Sequence, residues 1–142
     1  MTKGDLAKKI FESGANCSQS VVLAFKEELG ICEEDLKKLV IGLGGGVGRL
    51  RHTCGAVTGM AVVLGKLLSD GEDKLAIYEI IQKACADFKK ELGTLICAEL
   101  LDGVAHDNSP NPEQRTQKYY EKRPCAEICK IAGDIAERYI NN

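Results

Sequence analysis

Apolar positions along this chain recur at three-and-four spacing and almost never alternate, so the pattern predicts helix after helix. A first helix is expected over about Thr2 to Glu12, with Leu6, Ile10 and Phe11 on one stripe and Gly14 beyond its end. Asn16 reads as the N-cap of a second helix that carries Val21, Val22, Ala24, Phe25 and Leu29 and is closed by Gly30. A short third helix is expected from Glu33 to about Ile41. Thr53 reads as the N-cap of a fourth, Cys54 to about Ser69. The fifth, Asp73 to Leu92, has the clearest stripe, Ile77, Ile81, Ala84, Cys85, Phe88 and Leu92, and Gly93 closes it. Then come a short apolar segment from Leu95 to Leu101, a polar loop from Asp102 to Pro112 and a polar helix over Glu113 to Lys122. Pro124 opens a last helix, Cys125 to about Tyr139. No alternating run is long enough for a strand. The expectation is an all-α, single-domain compact bundle of about five to seven helices, one cysteine-rich domain over residues 1–142.

The segment Gly42-Leu43-Gly44-Gly45-Gly46-Val47-Gly48 interrupts this pattern with glycine at five of seven positions. Each glycine costs a helix roughly 1 kcal/mol against alanine, so this is a loop. It has neither the Gly-Lys-Ser/Thr ending of a P-loop nor G-x-G-x-x-G spacing, and no strand precedes it, so a nucleotide site is not indicated. Two readings remain. Its backbone N–H groups, with Gly45 and Gly46 at the centre and Arg49 and Arg51 adding charge, could serve an anionic group. The same glycines also suit an ordinary helix terminus with solvated arginines.

Composition narrows the classes. Apolar residues at 44% and charged residues at 28% are those of a folded globular domain rather than a disordered tail. A net charge of −2 and the absence of Trp argue against a nucleic-acid partner. The longest uncharged apolar stretch, Val57 to Gly65, is far short of the roughly 20 residues that cross a bilayer. No export signal is visible at the start of the sequence, so a cytoplasmic protein with no membrane partner is expected.

The seven cysteines, at 17, 32, 54, 85, 97, 125 and 129, change the picture. An odd count in a reducing compartment points to metal binding or thiol chemistry more than to stapling, although free cysteine is also a common core residue. Cys17, Cys54 and Cys125 each fall in the first turn of an expected helix. Unpaired N–H groups and the positive end of the helix dipole favour thiolate there. The fourth helix opens Cys54-Gly55-Ala56-Val57-Thr58-Gly59, which places Gly55 and Gly59 on one face at a cost of about 2 kcal/mol in helix propensity. Either close helix packing or a bulky group seated against the backbone beside Cys54 would account for them. That face could also serve a homodimer.

Cys54-Gly55-Ala56-x-x-Gly59, with Cys17 upstream and Cys97 and Cys125 downstream, resembles the C_GCAxxG_C_C family of redox-active proteins. The likeness runs from Cys17 into the final helix. It implies a redox role with Cys17, Cys54, Cys97 and Cys125 as the functional positions, and an iron–sulfur cluster as their ligand. A more distant likeness is to the cysteine-bearing domain of split-Soret type cytochromes.

The remaining candidates fall outside that pattern. Cys85 sits in a helix stripe and reads as core. Cys32 lies at a turn between helices. Cys129, four residues after Cys125, shares its face and could be a substitute ligand, a resolving thiol or a small inward residue. His52 could donate a proton or ligate; His106 has no assigned role.

Three functions stay in view. The first is an electron-transfer protein holding an iron–sulfur cluster on Cys17, Cys54, Cys97 and Cys125, working with an electron donor or acceptor oxidoreductase, four thiolates being the usual ligand count. Gly55, Gly59, Gly45 and Gly46 would border the cluster. The second is a cofactor-free thiol oxidoreductase in which Cys54 attacks and a nearby sulfur, Cys17 by preference, is its partner. The third is a helical interaction module with core cysteines, which requires the four to lie apart and buried.

Overall fold

The computed structural model describes residues 1–142 and is all-α, with a single isolated β-bridge between Thr53 and Ile96. Nine α-helices and one 3-10 turn occur: α1 (Lys3–Glu12), α2 (Cys17–Ala24), α3 (Lys26–Leu29), α4 (Glu33–Val40), the 3-10 turn (Ile41–Leu43), α5 (Gly55–Leu68), α6 (Lys74–Leu92), α7 (Cys97–Leu100), α8 (Gln117–Lys122) and α9 (Cys125–Ile140). The count exceeds the expected five to seven at two places. The second helix breaks at Phe25, whose backbone (φ −105°, ψ 18°) leaves the helical well, so one expected helix becomes α2 and α3 before the left-handed Gly30 ends it. The segment after Gly93 also closes one short turn, α7.

Several boundaries follow from capping. Thr2 caps α1 and Asn16 caps α2, each in a reciprocal capping box with the residue three positions on. Asp73 accepts from the Ala76 N–H to start α6. Thr53 does not cap α5: it is drawn into the bridge with Ile96, and Cys54 occupies the cap position instead. The polar helix begins only at Gln117, because Thr116 caps it and residues 113–115 stay outside the helix.

One core, with Phe25, Met60, Leu64, Phe88 and Ile135 among its fully buried side chains, lies beneath all the long helices. Two close crossings set their arrangement. Gly133 of α9 lies against Gly4 of α1, and the Gly4 N–H donates to Asp134 Oδ1 at 2.9 Å. Gly59 of α5 lies against the backbone of Ser18 in α2, where a Cβ would sit 3.0 Å from the Ser18 carbonyl oxygen. The small-residue face of α5 is therefore consumed inside the chain by α2. Ser18 and Gln19 are buried and tie α2 to the end of α4, through the carbonyls of Val40 (2.7 Å) and Lys37 (3.2 Å). No helix is long and apolar enough to cross a membrane.

The crossings predict opposite outcomes at two helical glycines. Gly133→Ala puts a methyl 2.9 Å from Gly4 Cα and should lower the stability measured by denaturant unfolding by about 1–3 kcal/mol. Gly65→Ala, with open space around it, should instead raise stability by up to about 1 kcal/mol through helix propensity.

Candidate functional site

Cysteine stands at the start of four helices: Cys17, Cys97 and Cys125 are the first residues of α2, α7 and α9, and Cys54 is the cap of α5. All four line one cavity of about 630 Å³. Three separate devices bring them there. The α2–α5 crossing sets Cys17 over Gly55, where even a Cβ would come within 2.5 Å of the Cys17 sulfur. Backbone pairing joins residues 51–54 to 95–98: Cys54 N–H donates to Leu95 O (2.8 Å), and Cys97 and Ala98 N–H groups donate to His52 O (2.6 Å) and Arg51 O (3.2 Å). The packing of α9 on α1, α2 and α5 supplies Cys125.

The glycine loop makes the fourth wall. Gly45, Gly46, Val47, Gly48 and Arg49 all have φ between 55° and 71°, a run of left-handed backbone, and Arg51 follows at 65°. Long back-hydrogen-bonds hold it, from Gly48 N–H to Gly42 O (2.9 Å), Arg51 N–H to Gly45 O (3.0 Å) and His52 N–H to Gly46 O (2.9 Å). Glycine takes this conformation freely, whereas Val47 and the two arginines carry roughly 1–2 kcal/mol of strain each. The turn aims the Gly45 amide at the Cys17 sulfur. Gly46 packs against the Cys97 Cβ, where its own Cβ would come within 2.8 Å.

Cys17 is the acidic thiol of the group. The facing Cys54 thiol donates to it, and the backbone amides of Gly45 and Ser18 add to that, bringing its pKa from 9.0 down to about 6 despite burial. Cys54 moves the opposite way, well above its ordinary value, because its own S–H proton is held in the hydrogen bond to the Cys17 thiolate and it is itself buried. Cys125 is raised to about 11, by burial first and the Cys17 charge second. Helix N-termini alone do not make Cys54 and Cys125 acidic: the charge on Cys17 and their own burial hold both protonated.

Four guanidiniums surround the same cavity: Arg49, Arg51, Arg115 and Arg123, against one carboxylate, Glu113. Arg51 bridges the site and the polar loop, with Nη1 3.6 Å from Cys97 Sγ and Nε donating to Asp107 O at 2.8 Å. Arg49 donates to Ser109 O, and Arg123 contacts the Glu113 carboxylate. Burial works against the charge of Arg123, which Cys125 and Cys97 support. Arg115 stacks on Phe11, 4.2 Å from its ring centroid, and donates to the carbonyls of Phe11 and Ala15, fastening the segment before α8 onto the end of α1. Arg115, Arg123 and Glu113 are not singled out by the sequence pattern. One signal for Arg123 exists, a cation just ahead of a first-turn cysteine, which Arg51 before Cys54 repeats.

The other candidates separate clearly. Cys129 is fully buried beneath the site, its sulfur 3.8 Å from Cys17 O and its thiol held protonated by burial. Cys85 is half-buried against the core, and Cys32 is exposed at the start of α4. His52 is exposed and joins the site through its backbone. His106 is exposed on the polar loop. Gly55 and Gly59 face α2 rather than the cavity.

The donor set suits a thiolate-ligated group. No three His, Cys, Asp or Glu side chains converge on a single point as a lone ion would require. The four sulfurs instead border a space with room for several atoms, with cationic side chains and amide N–H groups directed into it.

Two tests follow. In reduced, metal-free protein, iodoacetamide should find a thiol whose reactivity climbs as pH passes about 6, not 9.0, since the thiolate is the reactive form. Cys17→Ser should remove that phase and Cys54→Ala should move it upward. The folded pKa of Cys17 lies below the unfolded one, so its thiolate contributes stability at high pH that is lost as pH falls through about 6. Separately, Val47→Gly should raise the thermal unfolding midpoint by relieving left-handed strain of roughly 1–2 kcal/mol, less the entropy that glycine adds to the unfolded chain.

The chain is 27% identical over 128 residues to an uncharacterized protein of Archaeoglobus fulgidus, an alignment covering 84% of this chain and 81% of that protein. No solved structure matches it. A family model described as "Putative redox-active protein (C_GCAxxG_C_C)" matches residues 15–139, a span that takes in all four cavity cysteines, and the protein belongs to that family.

Proposed function

We propose that this protein is an electron carrier that holds an iron–sulfur cluster on Cys17, Cys54, Cys97 and Cys125 and exchanges electrons with a larger oxidoreductase. One observation carries this reading: thiols from four separate helix starts border a single cavity. A two-sulfur mechanism has no use for Cys97 and Cys125. A core of inert cysteines would not gather them around an open space. The chemistry such a group supplies when bound is one-electron transfer, at a potential set by net charge, hydrogen bonds to sulfur and solvent exposure. The chain's own residues address those three settings. Gly45 N–H and Arg51 Nη1 point at the sulfurs of Cys17 and Cys97, the four guanidiniums offset negative charge, and Arg49, Arg51 and Arg123 tether the 102–113 segment, whose Pro110, Pro112 and Glu113 form part of the cavity wall. A bound cation would also reverse the electrostatics that keep Cys54 and Cys125 protonated, since a coordinating thiol loses its proton outright. Seven free thiols fit a reducing, cytoplasmic setting.

A second reading rests on the facing thiols of Cys17 and Cys54, which fit a dithiol that cycles to a disulfide. In it Cys17, not Cys54, is the attacking sulfur.

Protein purified without oxygen or chelator decides between them. Broad visible absorbance with matching iron and sulfide, lost in Cys97→Ser and in Cys125→Ser, is the expected result. If the protein is colourless, free of iron and unable to take up iron and sulfide under reducing conditions, the cluster reading fails. A Cys17–Cys54 disulfide that forms reversibly, untouched by Cys97→Ser, would then establish the dithiol.

A further inference from the structure

Two of the arginines that line the cavity already have an anionic partner, and it belongs to the chain itself. The Glu113 carboxylate contacts Arg123 directly and lies 3.8 Å from Arg49 Nη2. The two arginine side chains are only 5% and 15% exposed, whereas that of Glu113 is 38% exposed. The carboxylate thus approaches from the solvent side onto two cations that cannot turn away to water. Buried guanidiniums require an anionic partner, and their fork geometry matches carboxylate or phosphate oxygens. Glu113 is the only acidic residue lining the cavity; Asp107, the other acid near Arg49, stands 68% exposed on the loop above. All four cavity arginines hold backbone carbonyls, Arg115 those of Phe11 and Ala15, Arg51 that of Asp107, Arg49 that of Ser109 and Arg123 that of Ala105, but only Arg49 and Arg123 also pair with the Glu113 carboxylate.

Where Glu113 sits is as telling as what it touches. It follows Pro112 in the non-helical segment before α8, with no backbone hydrogen bond of its own, so its side chain can withdraw without unwinding a helix. Glu113 lines the same cavity as Cys17, Cys54, Cys97 and Cys125.

We infer that Arg49 and Arg123 form an oxyanion pocket beside the cysteines, that Glu113 fills it as a tethered placeholder, and that a small molecule carrying a carboxylate or phosphate binds there by displacing Glu113. This goes beyond the proposed cluster and does not depend on it, because the guanidinium pair lies beside the sulfurs whichever chemistry they perform.

The test is calorimetric titration of the full-length protein with inorganic phosphate and, separately, with succinate, each on anaerobically purified and on chelator-treated protein. Glu113→Gln should bind one of the two anions roughly tenfold or more tightly than the unaltered protein, since binding no longer competes with the internal carboxylate. Which anion gains identifies the headgroup. Adding Arg49→Gln to Glu113→Gln should abolish the gain, and circular dichroism melts confirm that each variant is folded. Equal affinities with and without Glu113, or a gain that survives Arg49→Gln, would overturn the inference and leave Glu113 as a strut for the loop. A gain confined to chelator-treated protein that had carried iron and sulfide would also overturn it, because the anion would then only be replacing the cluster. Failure of the cluster reading appears differently, as protein without iron and sulfide in which the anion gain persists.

Discussion

The crossing of α2 over α5 is the constraint on which the rest of the site depends. Gly59 lets the α5 backbone approach Ser18, and Gly55 leaves space that the Cys17 sulfur fills. Any side chain at Gly55 would collide with that sulfur and with Leu43 O, so the approach that builds the core and the approach that pairs Cys17 with Cys54 are one contact. The helix propensity that the two glycines forfeit is offset by the burial this crossing allows, with Val21, Val22, Ala56 and Val57 sealed around it.

Around that crossing, local strain and local charge serve the same purpose. The left-handed run at 45–49 is unfavourable for Val47 and Arg49, and its back-hydrogen-bonds hold it in place. In return it directs an amide N–H at Cys17 and brings Arg49 and Arg51 inward. The outcome is a site in which the Cys17 thiolate and burial together hold Cys54 and Cys125 protonated. Further ionisation of Cys54 and Cys125 needs positive charge beyond what the helix ends and arginines provide, which fits sulfurs meant to bind a cationic centre or to exchange protons with a partner thiol.

Much of the fold was legible in the sequence because helical periodicity and capping are local. Thr2, Asn16, Asp73, Gly30 and Gly93 bound their helices as their residue types predict. The misreadings share a cause. Thr53 looks like a cap until Ile96, distant in sequence, claims it for a bridge, and the helix from Asn16 to Gly30 looks continuous although its backbone breaks at Phe25, whose side chain is buried in the core shared by distant helices. Cys97 illustrates the same limit: nothing local marks it as a helix start, and only the pairing of residues 51–54 with 95–98 places it beside Cys54.

By itself the sequence determined the all-α class, most helix limits, the glycine loop and the four-cysteine order that marks the family, since each is written in residue type and short-range spacing. The tertiary structure decided which thiols meet, which one is acidic, and that Arg115, Arg123 and Glu113 share the cavity with them. Proton sharing and charge balance depend on distances between segments that lie tens of residues apart, and those distances exist only once the helices have packed.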